Sequence, residues 1–534
     1  QLSWEAWHQE CMLHFTMLPR VFQRPCGKPL FPILLILLGT RNGILSIPPF
    51  IRGFGTFSLF RCETSMFCTF DLGSTKTEII LYGNDLCSLG GTEFLTPFVR
   101  ESGIVFLEPA SYTEDIFSHL NGLLNSLGKN LCREEDLYCT VTGMGSTILA
   151  TDRSGNVLVP CLSWEFQVPG GKIENYPVSG TGKLLLPTYP LFKIPWMKNR
   201  LSGKDALFLS LPDYVLARLM NFREIRTDYS FASRSLLFND ETCDWDEEIL
   251  AAAGLSRENL PSLSAAGTIL GEFDPSLKHR LSLRGAAFVC AGMHDHVATG
   301  YLGGAFSLDG KPFLVNPAGT TESVLAWSED PEKRAMLVKK SPGLGINTES
   351  GWRKDVLALV IYPSLSGKIL DTARRFGVEP EDLFEKEPPA LIVAPSRRRL
   401  VVEDPGFVIA PQNGRGTLDD FWRSLILGTQ FEFLRAVEDL EDLMKEPFSR
   451  GILLFGGQAR DEPLCRLKSA VVRRPVLSFP GINGAALGAA LAVAEGMGKA
   501  MNIDSLGETC RRFSASEREE DFFRRQYERY KEFQ

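Results

Sequence analysis

Two histidines flank an aspartate in the segment Gly292–His296, directly after the apolar run Ala286–Cys290. The run is short, apolar and preceded by Gly285, which favours a buried strand over a helix. Asp295 would then lie at the edge of a sheet, where open α/β folds bind their ligands. One interpretation is a buried carboxylate that is satisfied by neighbouring donors. The other is a general base whose neighbours orient a hydroxyl substrate, and this segment alone leaves both open.

A turn rich in glycine and hydroxyl side chains separates two strand-like runs near residue 70. Phe67–Phe70 leads into the turn DLGSTKT at residues 71–77, and Glu78–Tyr82 follows it. This order predicts a β-hairpin. Backbone N–H groups and hydroxyls in such a turn can bind phosphate oxygens, and the carboxylate of Asp71 can hold Mg²⁺ through water. The alternative is an ordinary hairpin that happens to be rich in Ser and Thr.

Glycine-containing turns follow three further predicted strands. Leu137–Thr142 precedes Gly143–Ser146, Phe313–Asn316 precedes GTTE at 319–322, and Gly451–Phe455 precedes GGQAR at 456–460. Adjacent glycines let the backbone approach a flat ligand closely. Taken singly, each of these segments is more simply interpreted as a plain turn.

Helical patterns alternate with these strands. They occupy Ser210–Met220, Leu418–Met444 and Gly484–Gly498. Pro261–Gly271 is typical of a loop, and the change in composition around it predicts a domain boundary near residues 280–286. The charged segment Ser514–Gln534 predicts a solvated helix with one packing stripe, formed by Phe522, Phe523, Tyr527 and Tyr530.

Length and composition indicate a globular chain with two large domains, because 534 residues exceed what one hydrophobic core organises. The hydrophobic content of 44% and the charged content of 23% are ordinary for such a chain. The net charge is 57 − 65 = −8, without a long basic block, which argues against nucleic-acid binding. The 12 cysteines form no CxxC pair, which argues against a zinc site or a disulfide framework and indicates a reducing cytoplasm.

The first 65 residues differ from the rest. Leu30–Leu38 is strongly apolar but well short of the roughly 20 residues that span a bilayer. Basic residues precede it, as in a signal peptide, but Cys26 and Cys62 flank it and no A-x-A-like site follows. We interpret residues 1–65 as an extension without a role in the fold, with Met66 as a natural start.

Taken in order, these segments resemble the FGGY carbohydrate kinases of the actin-like ATPase superfamily. The resemblance extends from about Phe67 to Lys499 and rests on the joint order and spacing of its motifs. The motifs are DLGST at 71–75, GNVLVPCLSW at 155–164, TDYSFAS at 227–233, GMHDH at 292–296, GTTE at 319–322, GGQARDEPLCRLKSAVVRRPV at 456–476 and NGAALGAALA at 483–492.

The resemblance implies an α/β protein with two ribonuclease-H-like (actin-like ATPase) domains that close on an interdomain cleft. Residues 66–284 would form the N-terminal sugar-binding domain, residues 285–500 the C-terminal nucleotide-binding domain, and residues 501–534 a charged helical tail. The expected activity is that of a cytoplasmic carbohydrate kinase, which phosphorylates a hydroxyl of a small sugar or polyol with ATP. Nucleic acid and membrane are not expected as partners, and a homodimer is left open.

The resemblance also assigns roles to single residues. Asp295 would be the catalytic base that takes a proton from the substrate hydroxyl, and Asp71 would organise Mg²⁺. The expected substrate contacts are His294, His296, Trp164, Gly145 and Ser146. The expected ATP contacts are Ser74, Thr75, Lys76, Thr320, Gly367, Gly457 and Asp461.

Three segments depart from the family pattern. Glu78 stands seven residues after Asp71, where many relatives carry Arg or Lys, and Lys76 lies two residues earlier. Gly143–Ser146 replaces a GQ-x-H-like sugar motif, and Trp164–Val168 replaces W-x-D-x-R. Because hydroxyl recognition depends on paired donors and acceptors, these changes predict an unusual substrate. The alternative is a catalytically impaired pseudokinase of the same fold that binds nucleotide and sugar.

Overall fold

The computed structural model describes residues 65–127, 134–168, 176–306, 313–319, 321–395, 407–411, 416–448, 450–499, 507 and 509–533. The predicted extension lies outside these residues apart from Ser65, which begins the first strand. None of the described helices combines the length and apolar character needed to cross a membrane.

The first half of the described chain alternates strands and helices. Its strands are β1 (Ser65–Leu72), β2 (Lys76–Tyr82), β3 (Ser88–Leu95), β4 (Val99–Glu101), β5 (Ile104–Leu107), β6 (Asp136–Gly143), β7 (Ile148–Thr151), β8 (Val157–Leu162), β9 (Leu207–Leu209), β10 (Arg226–Asp228), β11 (Phe238–Asn239), β12 (Asp244–Trp245), β13 (Ser262–Ser264), β14 (Ile269–Glu272), β15 (Ala287–Cys290) and β16 (Met293–His294). Its helices are α1 (Pro109–Ser126), α2 (Pro190–Leu201), α3 (Leu211–Leu219), α4 (Tyr229–Ser233), α5 (Glu247–Ala252) and α6 (Pro275–Arg280).

The second half repeats this alternation. Its strands are β17 (Leu314–Pro317), β18 (Glu322–Ser328), β19 (Asn347–Ser350), β20 (Leu357–Ser364), β21 (Leu391–Pro395), β22 (Phe407–Pro411), β23 (Ile452–Phe455), β24 (Val476–Ser478) and β25 (Arg511–Phe513). Its helices are α7 (Asp295–Ala305), α8 (Pro331–Lys340), α9 (Ser366–Arg375), α10 (Asp382–Glu385), α11 (Leu418–Met444), α12 (Glu462–Val472), α13 (Gly484–Gly496) and α14 (Glu517–Glu532).

Both halves are built on a sheet of the same layout. The first sheet has the order β14-β15-β6-β1-β2-β3, with β16 also paired to β6, and the second has the order β19-β20-β18-β17-β23-β24-β25. In each, antiparallel strands (β1-β2-β3 and β17-β18-β20) continue into parallel ones (β6 and β15; β23 and β24). The central strands β1 and β6 are buried along almost their whole length, as expected for strands covered on both faces. This repeated layout is that of two ribonuclease-H-like domains.

The predicted helices and strands over the motif segments are confirmed. The hairpin at 67–82 forms β1 and β2, and the helix predicted at Leu418–Met444 has those bounds. The loop predicted at Pro261–Gly271 is wrong, because β13 and most of β14 lie in it. These strands are only 3 and 4 residues long, so turn-forming residues dominate the local composition.

The predicted domain boundaries fall inside the sheets. Strands β15 and β16 belong to the first sheet although they follow residue 284, and β25 is the edge strand of the second sheet although it follows residue 500. We therefore propose that the domains divide at residue 294, before α7, and that residues 509–533 belong to the second domain. In α14 the predicted stripe packs inward, with Phe523, Tyr527 and Tyr530 buried and Phe522 partly buried.

Helix α13 connects the two sheets because its side chains are small. It packs against α7 and also lies on β1 and β6, where the Thr69 hydroxyl donates to the Ala486 carbonyl at 3.0 Å. A Cβ atom at Gly488 would lie 1.9 Å from the Ala298 carbonyl oxygen of α7. The close approach of α13 and α7 therefore requires glycine at this position.

We expect Gly488→Ala to lower the free energy of unfolding by about 1–3 kcal/mol, because the added methyl group must push two packed helices apart. Gly122→Ala is the matched control, since Gly122 is an exposed helical glycine with no atom within 4 Å of its virtual Cβ. It should raise the free energy of unfolding by about 0.5–1 kcal/mol. Urea unfolding of both variants measures these effects, and a Gly488→Ala protein as stable as the wild type would contradict this packing.

Candidate active site

Three strand ends of the first sheet meet at one edge. Leu72 of β1 is in register with Gly143 of β6, and Gly143 is in register with His294 of β16. Gly143 has φ +148°, and a Cβ atom there would lie 2.5 Å from the Leu72 carbonyl oxygen. The glycine lets the strand ends come this close, so the hairpin turn, the Gly143–Ser146 turn and Asp295 share one edge.

Asp295 lies between the two histidines and remains accessible. Its Oδ1 is 3.2 Å from His294 Nε2 and 3.6 Å from His296 Nε2, and the two imidazoles are stacked with centroids 5.2 Å apart. The His296 backbone N–H donates to the same oxygen at 2.6 Å, because Asp295 is the first residue of α7. The Asp295 side chain is 32% exposed, whereas that of His294 is 4% exposed. Fixed donors thus surround a carboxylate that solvent or a ligand can reach.

Each histidine is anchored by a residue of the second sheet. His294 Nδ1 is 2.9 Å from Glu349 Oε2 on β19, and His296 Nδ1 is 2.7 Å from Ser323 Oγ on β18. Burial lowers the pKa of His296, the carboxylate of Asp295 opposes this, and the Arg234 guanidinium adds to it. These bonds fix the ring orientations and hence the direction in which Asp295 points.

The fully buried Glu349 is the counterion at the centre of the site. Arg234 Nη1 donates to Glu349 Oε1 at 3.0 Å, and the Arg234 guanidinium lies 5.1 Å from the centroid of the Tyr189 ring. Burial alone would raise the pKa of the Glu349 carboxyl, but His294 and Arg234 outweigh it and the pKa is lowered. Glu349 is therefore ionised, and it is hydrogen-bonded to the Arg234 guanidinium and the His294 imidazole.

A cavity of about 180 Å³ opens over Asp295. Of the residues predicted from sequence, it is lined by Ser74, Gly145, Ser146, Trp164, His294, Asp295 and His296. It is also lined by residues that sequence reasoning missed, among them Thr188, Tyr189, Arg234, Thr321, Asn347 and Tyr362. Arg234 directly follows the TDYSFAS motif, and this position is a sequence signal for it. Glu349 lies in no such motif, so no local pattern indicates its role.

The hairpin turn lies at one side of this cavity. Ser74 and Thr75 are exposed at the turn, and Gly73 allows it, because a Cβ there would lie 2.7 Å from the Lys76 carbonyl oxygen. Lys76 Nζ donates to Glu78 at 2.6 Å and to Glu93 at 2.7 Å. Its charge is thus already balanced by two carboxylates, the half-buried Glu78 and the exposed Glu93.

Asp71 and Glu78 share one donor from the second half of the chain. Asn483 Nδ2 lies 2.7 Å from Asp71 Oδ2 and 2.6 Å from Glu78 Oε2, while its Oδ1 caps α13. Burial raises the pKa of Asp71 to about 7, the Asn483 bond opposes this, and the charges of Asp295 and Glu78 add to it. Oxygen ligands without a compensating cation suit Mg²⁺, which would favour the ionised carboxylate.

Gly367 and Gly457, two of the residues predicted to contact the nucleotide, lie in segments that form a second cluster. Thr320 lies outside the described residues, and its neighbour Thr321 lines the cavity. Gln458 Nε2 donates to Ser366 Oγ at 2.7 Å and to the Gly319 carbonyl at 3.3 Å, which brings the segments around Gly367 and Gly457 together. Among the described residues, no atom would lie within 4 Å of a Cβ added to Gly457, so this side of the glycine is open to them.

Asp461 is placed differently from these glycines. Its carboxylate caps α12 by accepting from the Leu464 N–H at 3.0 Å, and it forms an ion pair with Arg374. The side chain is 8% exposed. Asp461 therefore positions the start of α12, and its carboxylate is already fully engaged.

Parts of the chain are similar in sequence to known proteins. Residues 66–303 match the N-terminal domain of the FGGY family of carbohydrate kinases. The chain is 22% identical over 342 residues to the gluconokinase of Bacillus subtilis, covering 60% of this chain and 64% of that protein. It is 26% identical over 239 residues to the glycerol kinase of Carboxydothermus hydrogenoformans, covering 41% and 47%. The chain thus spans less than two thirds of the length of these curated relatives.

Solved structures of similar fold cover most of the chain. The gluconate kinase from Lactobacillus acidophilus superposes with a TM-score of 0.73 at 16% identity, covering 88% of this chain and 97% of that chain. The glycerol kinase of Plasmodium falciparum with ADP gives a TM-score of 0.73 at 16% identity, covering 88% and 98%. At these identities the likeness establishes the fold, which is that of two actin-like ATPase domains with a cleft between them.

The raised pKa of Asp71 predicts a pH-dependent stability. Between about pH 4 and pH 7 the folded protein keeps a proton on Asp71 that the unfolded chain releases, so this group makes folding less favourable as pH rises through that window. Asp71→Asn removes the titration. In metal-free buffer the variant should gain in Tm relative to the wild type as pH rises from 5 to about 8.

Asp152→Asn is the control, because hydrogen bonds from Asn156 lower the pKa of Asp152. Its Tm relative to the wild type should fall, or stay level, over the same pH range. A difference between Asp71→Asn and wild type that is the same at both pH values would contradict the raised pKa.

Proposed function

Because the chain belongs to the FGGY family of carbohydrate kinases, we propose that it transfers the terminal phosphoryl group of ATP to a hydroxyl of a small sugar, sugar acid or polyol. The observation that carries the proposal is the placement of Asp295 in a cavity that Ser74 and Thr321 also line. These residues come from the turns that follow β1 and β17, the equivalent hairpins of the two sheets. Substrate hydroxyl, base and phosphate-binding turns would therefore share one enclosed space.

Asp295 is the proposed base. It accepts the proton of the substrate hydroxyl while that oxygen bonds to the γ-phosphorus and the bond from phosphorus to the β–γ bridging oxygen breaks, which releases ADP. His294 and His296 keep the Asp295 carboxylate oriented, since each is held from its far side by Glu349 or Ser323. The buried Glu349 and Arg234 pair is a positioning element for His294.

The nucleotide side is proposed from the two hairpin turns and the glycines behind them. Ser74, Thr75, Lys76 and Thr320 would contact phosphates, and Gly367 and Gly457 would lie against the rest of the nucleotide. Lys76 can do so only by exchanging Glu78 and Glu93 for phosphate oxygens. Asp461 would act there through the position of α12 rather than through a free carboxylate.

Mg²⁺ fits beside Asp71, whose carboxylate lacks a cationic partner in the described chain and is bonded to Asn483. Asp71 would hold the ion, through water, next to the phosphate-binding turn. When bound, the ion neutralises charge on the transferred phosphoryl group.

A homodimer stays a prediction.

On the substrate side, Trp164, Gly145, Ser146, His294 and His296 are the proposed contacts. A Cβ at Gly145 would lie 2.9 Å from both the Arg234 Cγ and the His294 Cδ2 atoms, so the glycine keeps this wall thin. The hydroxyl and imidazole side chains on the cavity wall can donate and accept hydrogen bonds. They therefore suit a ligand with several hydroxyls.

Asp295→Asn should lower kcat by about 10²–10⁴-fold, because the amide cannot accept the hydroxyl proton. Calorimetric affinities for ATP and for the sugar should stay within a few-fold of the wild type. Asp115→Asn is the control, since Asp115 is exposed on α1 and remote from the cavity, and its kcat should be unchanged. Full turnover by Asp295→Asn would refute the assignment of the base.

A screen for ADP release over sugar acids, ketoses, pentoses, hexoses and polyols tests the activity itself. We expect one chemical class to support turnover well above the ATP hydrolysis seen without acceptor. Saturable binding of ATP and of a sugar, with no phosphoryl transfer to any member of the panel, would contradict the proposal and favour a binding protein of the same fold.

A further inference from the structure

A second cavity, of about 530 Å³, lies away from the candidate active site. Its walls include Tyr301 from the end of α7, Trp327 from the end of β18 and Trp352, which follows β19. The same three elements begin at or pass through the active site, with Asp295, Ser323 and Glu349. The two cavities therefore lie toward opposite ends of shared elements, and none of the residues that line the second cavity lines the first.

The three aromatic side chains, which we call the cage, meet at steep angles. The ring centroids of Tyr301 and Trp352 are 5.0 Å apart with planes at 74°, and those of Trp327 and Trp352 are 5.9 Å apart with planes at 65°. In edge-to-face packing the edge of one ring lies against the face of the next, so the three ring planes stand at steep angles instead of stacking. Walls at such angles can offer more than one ring face to a single small ligand.

Among the described residues, the cage rings form no cation–π contact with a lysine or arginine side chain. Among the described residues, arginine and lysine side chains lie over the rings of Phe67, Phe117, Tyr189, Trp196, Phe313, Phe384, Phe433 and Tyr527, and none lies over a ring of the cage. Arg353 and Lys333 line the cavity, but they pair with carboxylates, Arg353 with Asp355 and Lys333 with Asp330. In the described chain, no lysine or arginine therefore occupies a ring face of the cage.

Carboxylates complete the cavity with a negative excess. Glu446 and Glu495 line it, and in the described part of the chain neither forms an ion pair. Glu495 accepts a hydrogen bond from the Tyr301 hydroxyl, which fixes it beside the cage. Ring faces together with unpaired carboxylates attract a cation that carries apolar groups.

The cavity also has room and an apolar wall. Leu337 and Met444 line it, and both are buried in the hydrophobic core that surrounds the second sheet. Gly304 of α7 faces Trp327, and a Cβ there would lie 3.7 Å from the indole, an ordinary contact distance. Gly304 thus leaves the space next to Trp327 open although the packing there would accommodate a larger residue.

We propose that the cage binds a small organic ammonium ion, with its alkyl groups against Trp327, Trp352 and Tyr301 and its charge facing Glu446 and Glu495. This site is independent of phosphoryl transfer. An anion is disfavoured by the two unpaired carboxylates, and a neutral ligand would leave them without a counterion.

Calorimetric titration of the full chain with choline and with 3,3-dimethylbutan-1-ol, its neutral carbon isostere, tests the proposal. Choline should bind saturably, and the isostere at least about ten-fold more weakly, because it lacks the charge that the rings and carboxylates attract. Choline affinity should be unchanged when ATP and a sugar occupy the cleft, so failure of the kinase proposal would not affect this result. Equal binding of the two compounds, or no saturable binding of choline, would overturn the proposal.

Variants localise the site. Glu446→Gln, at a partly exposed position, should weaken choline about three- to thirty-fold, and so should Trp327→Leu, whereas Trp327→Phe should retain most of the affinity. Asp442→Asn is the matched control, since it removes one negative charge from the exposed side of the same segment. Undiminished choline binding by both Glu446→Gln and Trp327→Leu would place the ligand elsewhere and refute the cage.

Discussion

The buried side chains of β19, above all the Glu349 carboxylate, are the constraint on which the site depends. Thr348, Glu349 and Ser350 are fully buried, yet each bonds to charged or polar groups from the first half of the chain. Glu349 holds His294 and Arg234, and Asp240, itself paired with the buried Lys183 at 2.5 Å, accepts hydrogen bonds from Thr348 at 3.1 Å and from Ser350 at 3.0 Å. Because an uncompensated buried charge is very costly, these partners cannot separate far without losing stability. The two sheets are therefore fixed to each other on the side of Asp295.

This constraint gives the two sides of the cleft different properties. Around Asp295 every imidazole nitrogen is within reach of a fixed partner, which is what preorganised catalysis requires. On the phosphate side the turn residues Ser74 and Thr75 are exposed, and burial raises the pKa of Asp71. One wall is complete in the polypeptide alone, while the other is finished by whatever cation and phosphates it binds.

Sequence patterns predicted the parts of the site that lie at strand ends, because such motifs carry their own local signature. The hairpin turn, the Gly143–Ser146 turn and Asp295 were found in this way, and register between β1, β6 and β16 brings them to one edge. Glu349 and Tyr189 could not be found, since a buried counterion or a ring under a guanidinium is defined only by a distant partner. The proposed domain boundaries differ from those predicted for the same reason, because β15 and β25 are assigned to sheets by long-range pairing that composition does not encode.

Glu78 shows how a departure at one position alters the electrostatics of its surroundings. Lys76 lies between Glu78 and Glu93 of β3, and Asn483 lies between Glu78 and Asp71, so the hairpin and β3 together present three carboxyl groups against one ammonium. An arginine or lysine at position 78 would reverse the sign of that charge next to Asp71. A triphosphate that approaches the present hairpin meets net negative charge, which Lys76 alone cannot offset while it remains bonded to two glutamates. In our proposal the divalent cation must therefore supply more of the attraction for ATP here than in a hairpin with a basic residue at position 78.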